Sequence, residues 1–204
     1  MPPLWRLTRN PYAKRVHETL DSVGLTLSVL QVYARPLASP SEPDSPVSLR
    51  YHDPDALADR RAESFRDVDA LDRTDRVVAA YADGTRVGSV LLTVGDPVYV
   101  DALRREFDPG GAYVWRLYVA PEARGRGIGK TLVRAALWAA TETNGPIDRA
   151  TALVAPDNVP SQAVFEAIGF EPERELRYLR ALGRERRTSR DIGAASGGER
   201  SSTT

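Results

Sequence analysis

Apolar residues recur along the chain with two periods, and the changes from one to the other mark out the elements. Residues 11–24 place Val16, Leu20 and Val23 on one side of a short amphipathic helix that Gly24 ends. Leu25–Leu37 is rich in β-formers and reads as a strand, and Pro36 to Pro46, PLASPSEPDSP, is a linker by composition. The compact domain is therefore expected to begin at Val47. Val47–His52 reads as a strand, and Asp53-Pro54 opens a helix to about Phe65, with Asp53 as N-cap and Pro54 at its first position. Arg76–Tyr81 and Arg86–Val94 are apolar strands joined by Ala82-Asp83-Gly84-Thr85, a hairpin signal. Between Asp96 and Gly111 the pattern predicts a loop with a short helix around Ala102–Phe107.

The second half is more regular. Ala112–Ala120 reads as a strand, followed by the turn PEARGRGIGKT at 121–131. A helix is predicted from Gly127 to Thr143, with Ile128, Leu132, Ala135, Ala136 and Ala139 at helical spacing, and Asn144-Gly145-Pro146 stops it. Ala150–Ala155 is a buried strand. Asn158 starts another helix carrying Val164, Phe165 and Ile168 to Gly169, and Leu176–Leu182 is the final strand. Residues 184–204 are small and polar and are expected to be disordered.

Composition narrows the function classes. The 204 residues suffice for one domain with a core, and 28 basic residues balance 28 acidic ones. Bulk charge thus points to neither nucleic acid nor an anionic membrane. The arginines near 184–190 are followed by acids and read as a solvated tail, so no nucleic-acid partner is expected. There is no cysteine, hence no disulfide framework or thiolate chemistry. No apolar run approaches a membrane span, and MPPLWRLTRNP lacks the apolar core of a secretory signal, so a cytoplasmic location is the expectation.

The glycine-rich turn is the chemical centre of the sequence. As a Walker A loop it would need glycine at 124, where Arg124 stands, and no Walker B strand is evident. As a dinucleotide fingerprint it would need glycine at 130 or 132, where Lys130 and Leu132 stand. What remains is a strand, a glycine turn and a helix N-terminus, whose unpaired N–H groups and positive dipole end favour an anion. The dipole contributes at most about 2 kcal/mol, whereas micromolar binding needs about 8 kcal/mol. Several charge-assisted bonds must act together, and a pyrophosphate uses such an array better than one phosphate does.

RLYVAPEARGRGIGKTLV resembles motif A of the GCN5-related N-acetyltransferases (GNAT superfamily), with Arg124, Gly125, Arg126, Gly127, Ile128 and Gly129 in the Arg/Gln-x-x-Gly-x-Gly/Ala positions. NVPSQAVFEAIGF, Asn158 to Phe170, resembles the second motif of that family in order and spacing. The resemblance covers about Val47 to Leu182. It implies an α/β fold: a mixed, mostly antiparallel twisted sheet flanked by helices, with splayed central strands. It divides the chain into an N-terminal extension and linker at 1–46, an N-acetyltransferase domain at 47–183 and a polar tail at 184–204. It further implies acetyl-CoA as co-substrate, with its pyrophosphate on the loop from Arg124 through Gly125, Arg126, Gly127, Ile128 and Gly129 to Lys130. The pantetheine arm would pair with the backbone of Leu117, Tyr118 and Val119, and Asn158 would lie beside it, besides serving as a helix N-cap.

The implied activity is acetyl transfer to a primary amine: a small molecule, a peptide N-terminus or a lysine. By position Val119 supplies the N–H that polarises the thioester carbonyl. The family tyrosine that assists the thiolate stands where this chain has Phe165, and the strand 113–119 carries no carboxylate. These two departures motivate an alternative, a non-catalytic acyl-CoA-binding or regulatory module. Glu106, Asp108, His52, Tyr118 and Tyr178 are candidate bases, and no residue is assigned as catalytic. The strand at 25–35 is expected to be exposed and able to pair between subunits, which makes a homodimer one outcome.

Overall fold

A computed structural model describes residues 25–38, 40–52, 75–142 and 147–192. The helices predicted at 11–24 and 53–65, and the stop at 144–146, lie outside the described residues. In chain order the elements are β1 (Leu25–Pro36), β2 (Ser48–His52), β3 (Asp75–Ala82), β4 (Thr85–Val94), β5 (Val98–Val100), β6 (Arg105–Phe107), β7 (Ala112–Val119), α1 (Ile128–Thr141), β8 (Arg149–Val154), α2 (Val159–Glu166), β9 (Glu171–Ala181) and β10 (Arg184–Asp191). Eight strands form one sheet in the order β10-β9-β1-β8-β7-β4-β3-β2. Every neighbouring pair is antiparallel except β7 with β8. This is the mixed, mostly antiparallel sheet flanked by helices that the motifs implied.

The alternation of the strands sorts their side chains onto two faces. On one, α1 packs against β3, β4 and β7 and meets α2. Leu92, Val114, Leu132, Ala136, Phe165 and Phe170 are buried there. On the other face Val32, Tyr113, Leu176 and Tyr178 are covered by Leu103 and Phe107 from the β5–β6 region. That cover corrects the helix expected around 102–107. The segment is a 3-10 turn, Asp101–Leu103, followed by β6 paired antiparallel with β5. Two short strands can send Val98, Val100 and Phe107 to the sheet while Tyr99 and Glu106 face water, an alternation that one helical turn does not provide.

Two further boundaries shift. The compact unit does not begin at Val47, because β1 lies inside the sheet, hydrogen-bonded to β8 along one edge and β9 along the other. From Gln31 to Ala34 both of its edges are taken, and only Leu25–Leu30 lacks a strand partner on the β8 side among the described residues. Nor is the stretch from 184 to 191 a disordered tail, since β10 pairs with β9 along its whole length. Leu182 and Gly183, with φ of 50° and 76°, form the two-residue turn that joins them. Composition hid this strand because all its side chains are exposed, and main-chain pairing is what holds it. Side chains add to it: Arg187 donates to the carbonyls of Leu103 and Arg104 at 3.3 and 2.9 Å and lies over the Tyr178 ring. The Asp83-Gly84 turn between β3 and β4, with φ of 49° and 75°, is as the sequence predicts.

Truncation after Gly183 should therefore destabilise the protein by about 1–3 kcal/mol, lowering Tm by ~2–10 °C in a circular-dichroism melt. A disordered tail could be removed with Tm unchanged.

Candidate active site

The site begins where β7 and β8 part. These two strands pair only through Ala112 with Ala150 and Tyr113 with Thr151. Beyond Tyr113 the β8-facing edge of β7 has no strand partner among the described residues. The opposite edge remains paired with β4, through Ser89–Tyr118 and Gly88–Val119. Ala120 donates its N–H to Val87 at 2.9 Å, so by alternation Val119 directs its own N–H and C=O away from β4 and into the gap. Leu117 shares that direction by alternation, up to the irregularity that precedes it. Tyr118 does not: its main chain faces β4, so of the three residues expected to pair with a ligand, Leu117 and Val119 are the two whose backbone the sheet leaves open.

A bulge helps to turn the strand. Between Trp115 and Tyr118 β7 has one more residue than β4 opposite it, and Arg116 sits there with φ of 48°. Arginine carries no sequence signal for this left-handed conformation, so the bulge was not anticipated. Gly88 did carry a signal, as a glycine inside an apolar strand. A Cβ on it would stand 2.8 Å from the Tyr118 carbonyl oxygen and 2.9 Å from Leu132 Cδ1. The hydroxyl of Thr151, on the last paired rung, is buried with no hydrogen-bond partner among the described residues.

The glycine loop lies at the open end of the gap. Pro121–Ala123 forms a 3-10 turn, and α1 starts at Ile128 after Gly127, whose φ is 79°. No side chain caps this helix. The Arg124 N–H is taken by the Pro121 carbonyl at 3.4 Å, and the first loop-to-helix bond is Thr131 N–H to Gly127 at 3.1 Å. Between them, the N–H groups from Gly125 to Lys130 have no main-chain acceptor among the described residues. The expected array is present and starts one residue later than the motif suggested. Its three glycines do different work. Gly125 and Gly127 have positive φ and nothing within 4 Å of a would-be Cβ, so they shape the backbone and leave space above it. At Gly129 an added Cβ would meet Val164 at 3.3 Å, so that glycine lets α1 approach α2.

Charge around the loop is positive. Arg124, Arg126 and Lys130 are exposed, but Arg124 turns back onto the strand and donates from Nε to the Val119 carbonyl at 3.0 Å. Asn158 caps α2 by accepting from Ser161 N–H at 3.4 Å, and its amide nitrogen has no partner among the described residues. Phe165 is a core residue, edge-on to Phe170 at 5.1 Å. Of the candidate bases, Asp108 is engaged by the Gly110 N–H at 2.8 Å and His52 lies on β2, three strands from β7. Tyr178 donates to Glu185, and burial, followed by that carboxylate, raises its pKa so that it keeps its proton. Glu106 is exposed on β6. Only Tyr118 stands on a strand bordering the gap.

Residues 37–170 match the family model described as Acetyltransferase (GNAT) family. The chain belongs to this acetyltransferase family. A search of curated proteins found no match. Among solved structures, a GCN5-related N-acetyltransferase from Kribbella flavida is similar with a TM-score of 0.51 and 17% identity, over 81% of this chain and 63% of that one. A Drosophila protein gives a TM-score of 0.51 at 18% identity, over 85% and 58% of the two chains. A glucosamine N-acetyltransferase region of a fungal multi-domain β-N-acetylglucosaminidase gives 0.52 at 15%, over 85% and 23%. The likeness is one of fold, and this chain spans less than two thirds of each of those chains. Among the described residues no helix is long and apolar enough to cross a membrane, and no group of side chains could hold a metal ion.

Substitution Gly88→Ala in this acetyltransferase-family chain should cost about 1–3 kcal/mol, because the nearest obstacle is backbone that must shift. Urea unfolding of the purified variant measures it, and an unchanged midpoint would show that β4 and β7 are not held this closely.

Proposed function

We propose that the protein transfers the acetyl group of acetyl-CoA directly to a primary amine. The observation that carries this is the unpaired edge of β7 running into an uncapped row of main-chain donors. The residues fit the co-substrate. N–H groups from Gly125 to Lys130, with Arg126 and Lys130 beside them, suit its pyrophosphate. The free edge at Val119 and Leu117 suits the two amides of the pantetheine arm, which would extend the sheet as a strand does. Asn158 can present its free amide nitrogen to the same arm.

A thioester supplies an acyl group with a leaving thiolate, and the chain's contribution is to orient and polarise it. Val119 is closer to the loop than Leu117, and two residues of strand span about 6.6 Å. An arm anchored at the loop therefore meets Val119 first and Leu117 deeper in the gap. Both N–H groups are fixed by the sheet, so stabilising charge on a carbonyl oxygen there requires no reorganisation. Arg124 donates to the Val119 carbonyl, and must leave it for that acceptor to pair fully with an arm. Because Phe165 has no hydroxyl and sits in the core, the thiolate departs without a side-chain acid from that position. A thiol titrating near about 8.5 permits this at neutral pH. The same residue motivates a second reading, a module that binds acyl-CoA without turnover.

Calorimetry with acetyl-CoA is expected to give a dissociation constant in the micromolar range. Gly127→Ala, strained by about 1–2 kcal/mol in its left-handed conformation, should weaken binding roughly tenfold. Acetylated product by mass spectrometry across small amines, peptide N-termini and lysine peptides supports the transferase. Tight binding with no product across the panel supports the module, and no heat from acetyl-CoA rejects both.

A further inference from the structure

The strand that ends the sheet, β10, is strongly basic. It reads RERRTSRD, and all its side chains are exposed. Its inner edge is spent on β9, and its outer edge has no strand partner among the described residues. The two-residue turn at Leu182 and Gly183 makes Ala181 and Arg184 a hydrogen-bonded pair, and in the same phase the Ile192 N–H donates to the Glu173 carbonyl at 2.8 Å. Alternation therefore turns the main chain of Arg184, Arg186, Thr188 and Arg190 towards β9, and that of Glu185, Arg187, Ser189 and Asp191 outwards. Such an open row of main-chain groups is a template for another strand.

The side chains divide between the two faces in the same alternation. On the face away from α1, Arg187 pairs with Glu185 and reaches the carbonyls of Leu103 and Arg104, while Tyr178 donates to Glu185. The face shared with α1 carries Arg184, Arg186 and Arg190. None of these three has a hydrogen-bond or ion-pair partner among the described residues. Glu175, which the register sets opposite Arg190, is already bonded to Arg177. A second copy of β10 fits this edge badly. Residues directly opposite each other in an antiparallel pair must both turn their main chains outwards or both inwards. The two longest registers that satisfy this set Arg190 opposite Arg184 or opposite Arg186. The first also sets Arg187 against itself, and the second sets Glu185 against Asp191. Like charges directly opposite destabilise a strand pair. Charge thus closes the edge to its own kind and favours a strand with carboxylates at alternate positions.

We infer that β10 is a docking edge for an extended acidic segment of another protein, which adds to the sheet as an antiparallel strand with carboxylates opposite Arg184, Arg186 and Arg190. In the sheet order β7 lies four strands further in, so this edge is separate from the glycine loop and the inference does not depend on acetyl-CoA.

Fluorescence anisotropy of the full chain with a labelled Glu-Val-Thr-Val-Glu-Val-Glu peptide at low salt is the test. Run antiparallel, this peptide sets its glutamates against the three arginines and its threonine against Thr188. It should bind about tenfold more tightly than the same peptide with N-methylated valines, which keeps every charge and loses the N–H groups that face β10. Arg186→Glu, with its melting curve confirming a folded variant, should weaken binding about three- to tenfold, and a peptide with lysine opposite position 186 should restore it. No binding of the parent peptide, equal binding of the N-methylated one, or no rescue by the lysine peptide would each overturn the assignment. Displacement of the peptide by an equal concentration of octathymidylate would make the edge a general polyanion surface and overturn it as well. So would a dimer of the free protein that the peptide dissociates in sedimentation, since a second copy would then be the occupant.

Discussion

Two parallel strands that stop pairing after two rungs are the constraint on which the site depends. A buried main-chain N–H or C=O without a partner is costly, so an interrupted ladder inside a sheet needs compensation. Here the open edge of β7 gets partial compensation from Arg124, which donates to the Val119 carbonyl. The Val119 N–H remains available. A sheet that closed fully between β7 and β8 would be more completely hydrogen-bonded and would have nowhere to receive an extended ligand.

The loop follows from the same geometry. The chain leaving Val119 turns through the 3-10 turn Pro121–Ala123 into α1, and a Cβ at Gly129 in its first turn would lie 3.7 Å from Val119 of β7 and 3.3 Å from Val164 of α2, so the helix N-terminus is set beside the open edge. Packing fixes it there: Ile128 and Leu132 are buried on the sheet, and Gly129 allows contact with Val164 of α2. Rigid packing below and absent side chains above leave the donors oriented and reachable. Tyr33 ties the other end of α2 to β1 through Glu166, and burial first, then this carboxylate, push its pKa up to about 12. The hydroxyl thus stays a donor across the physiological range, and the flank of the gap is anchored through β1.

That anchoring explains why the N-terminal strand is integral. Removing β1 would take the central partner from both β8 and β9, although the matched family region begins only at residue 37. Linker composition between Pro36 and Pro46 describes a connection that leads from the interior of the sheet to β2 at its far edge. Such a crossing needs length and irregular backbone, and Pro- and Ser-rich sequence supplies both. The boundary expected at Val47 mistook a connection within the sheet for a join between units.

The sequence by itself determined the chemistry-bearing segment: a strand, three glycines and a helix start, with Asn158 capping the next helix. These are local matters, since turn geometry, capping and helical periodicity are encoded within a few residues. It also determined most of the strands, through alternation and the Asp83-Gly84 turn. Tertiary structure alone decided that β7 opens from β8, that Arg116 forms a bulge, that the main chain of Tyr118 faces β4 while that of Val119 faces the gap, and that Arg184–Asp191 is a strand. Each of these depends on which backbone groups find partners across residues distant in the chain, and hydrogen-bond pairing between strands leaves little trace in side-chain composition.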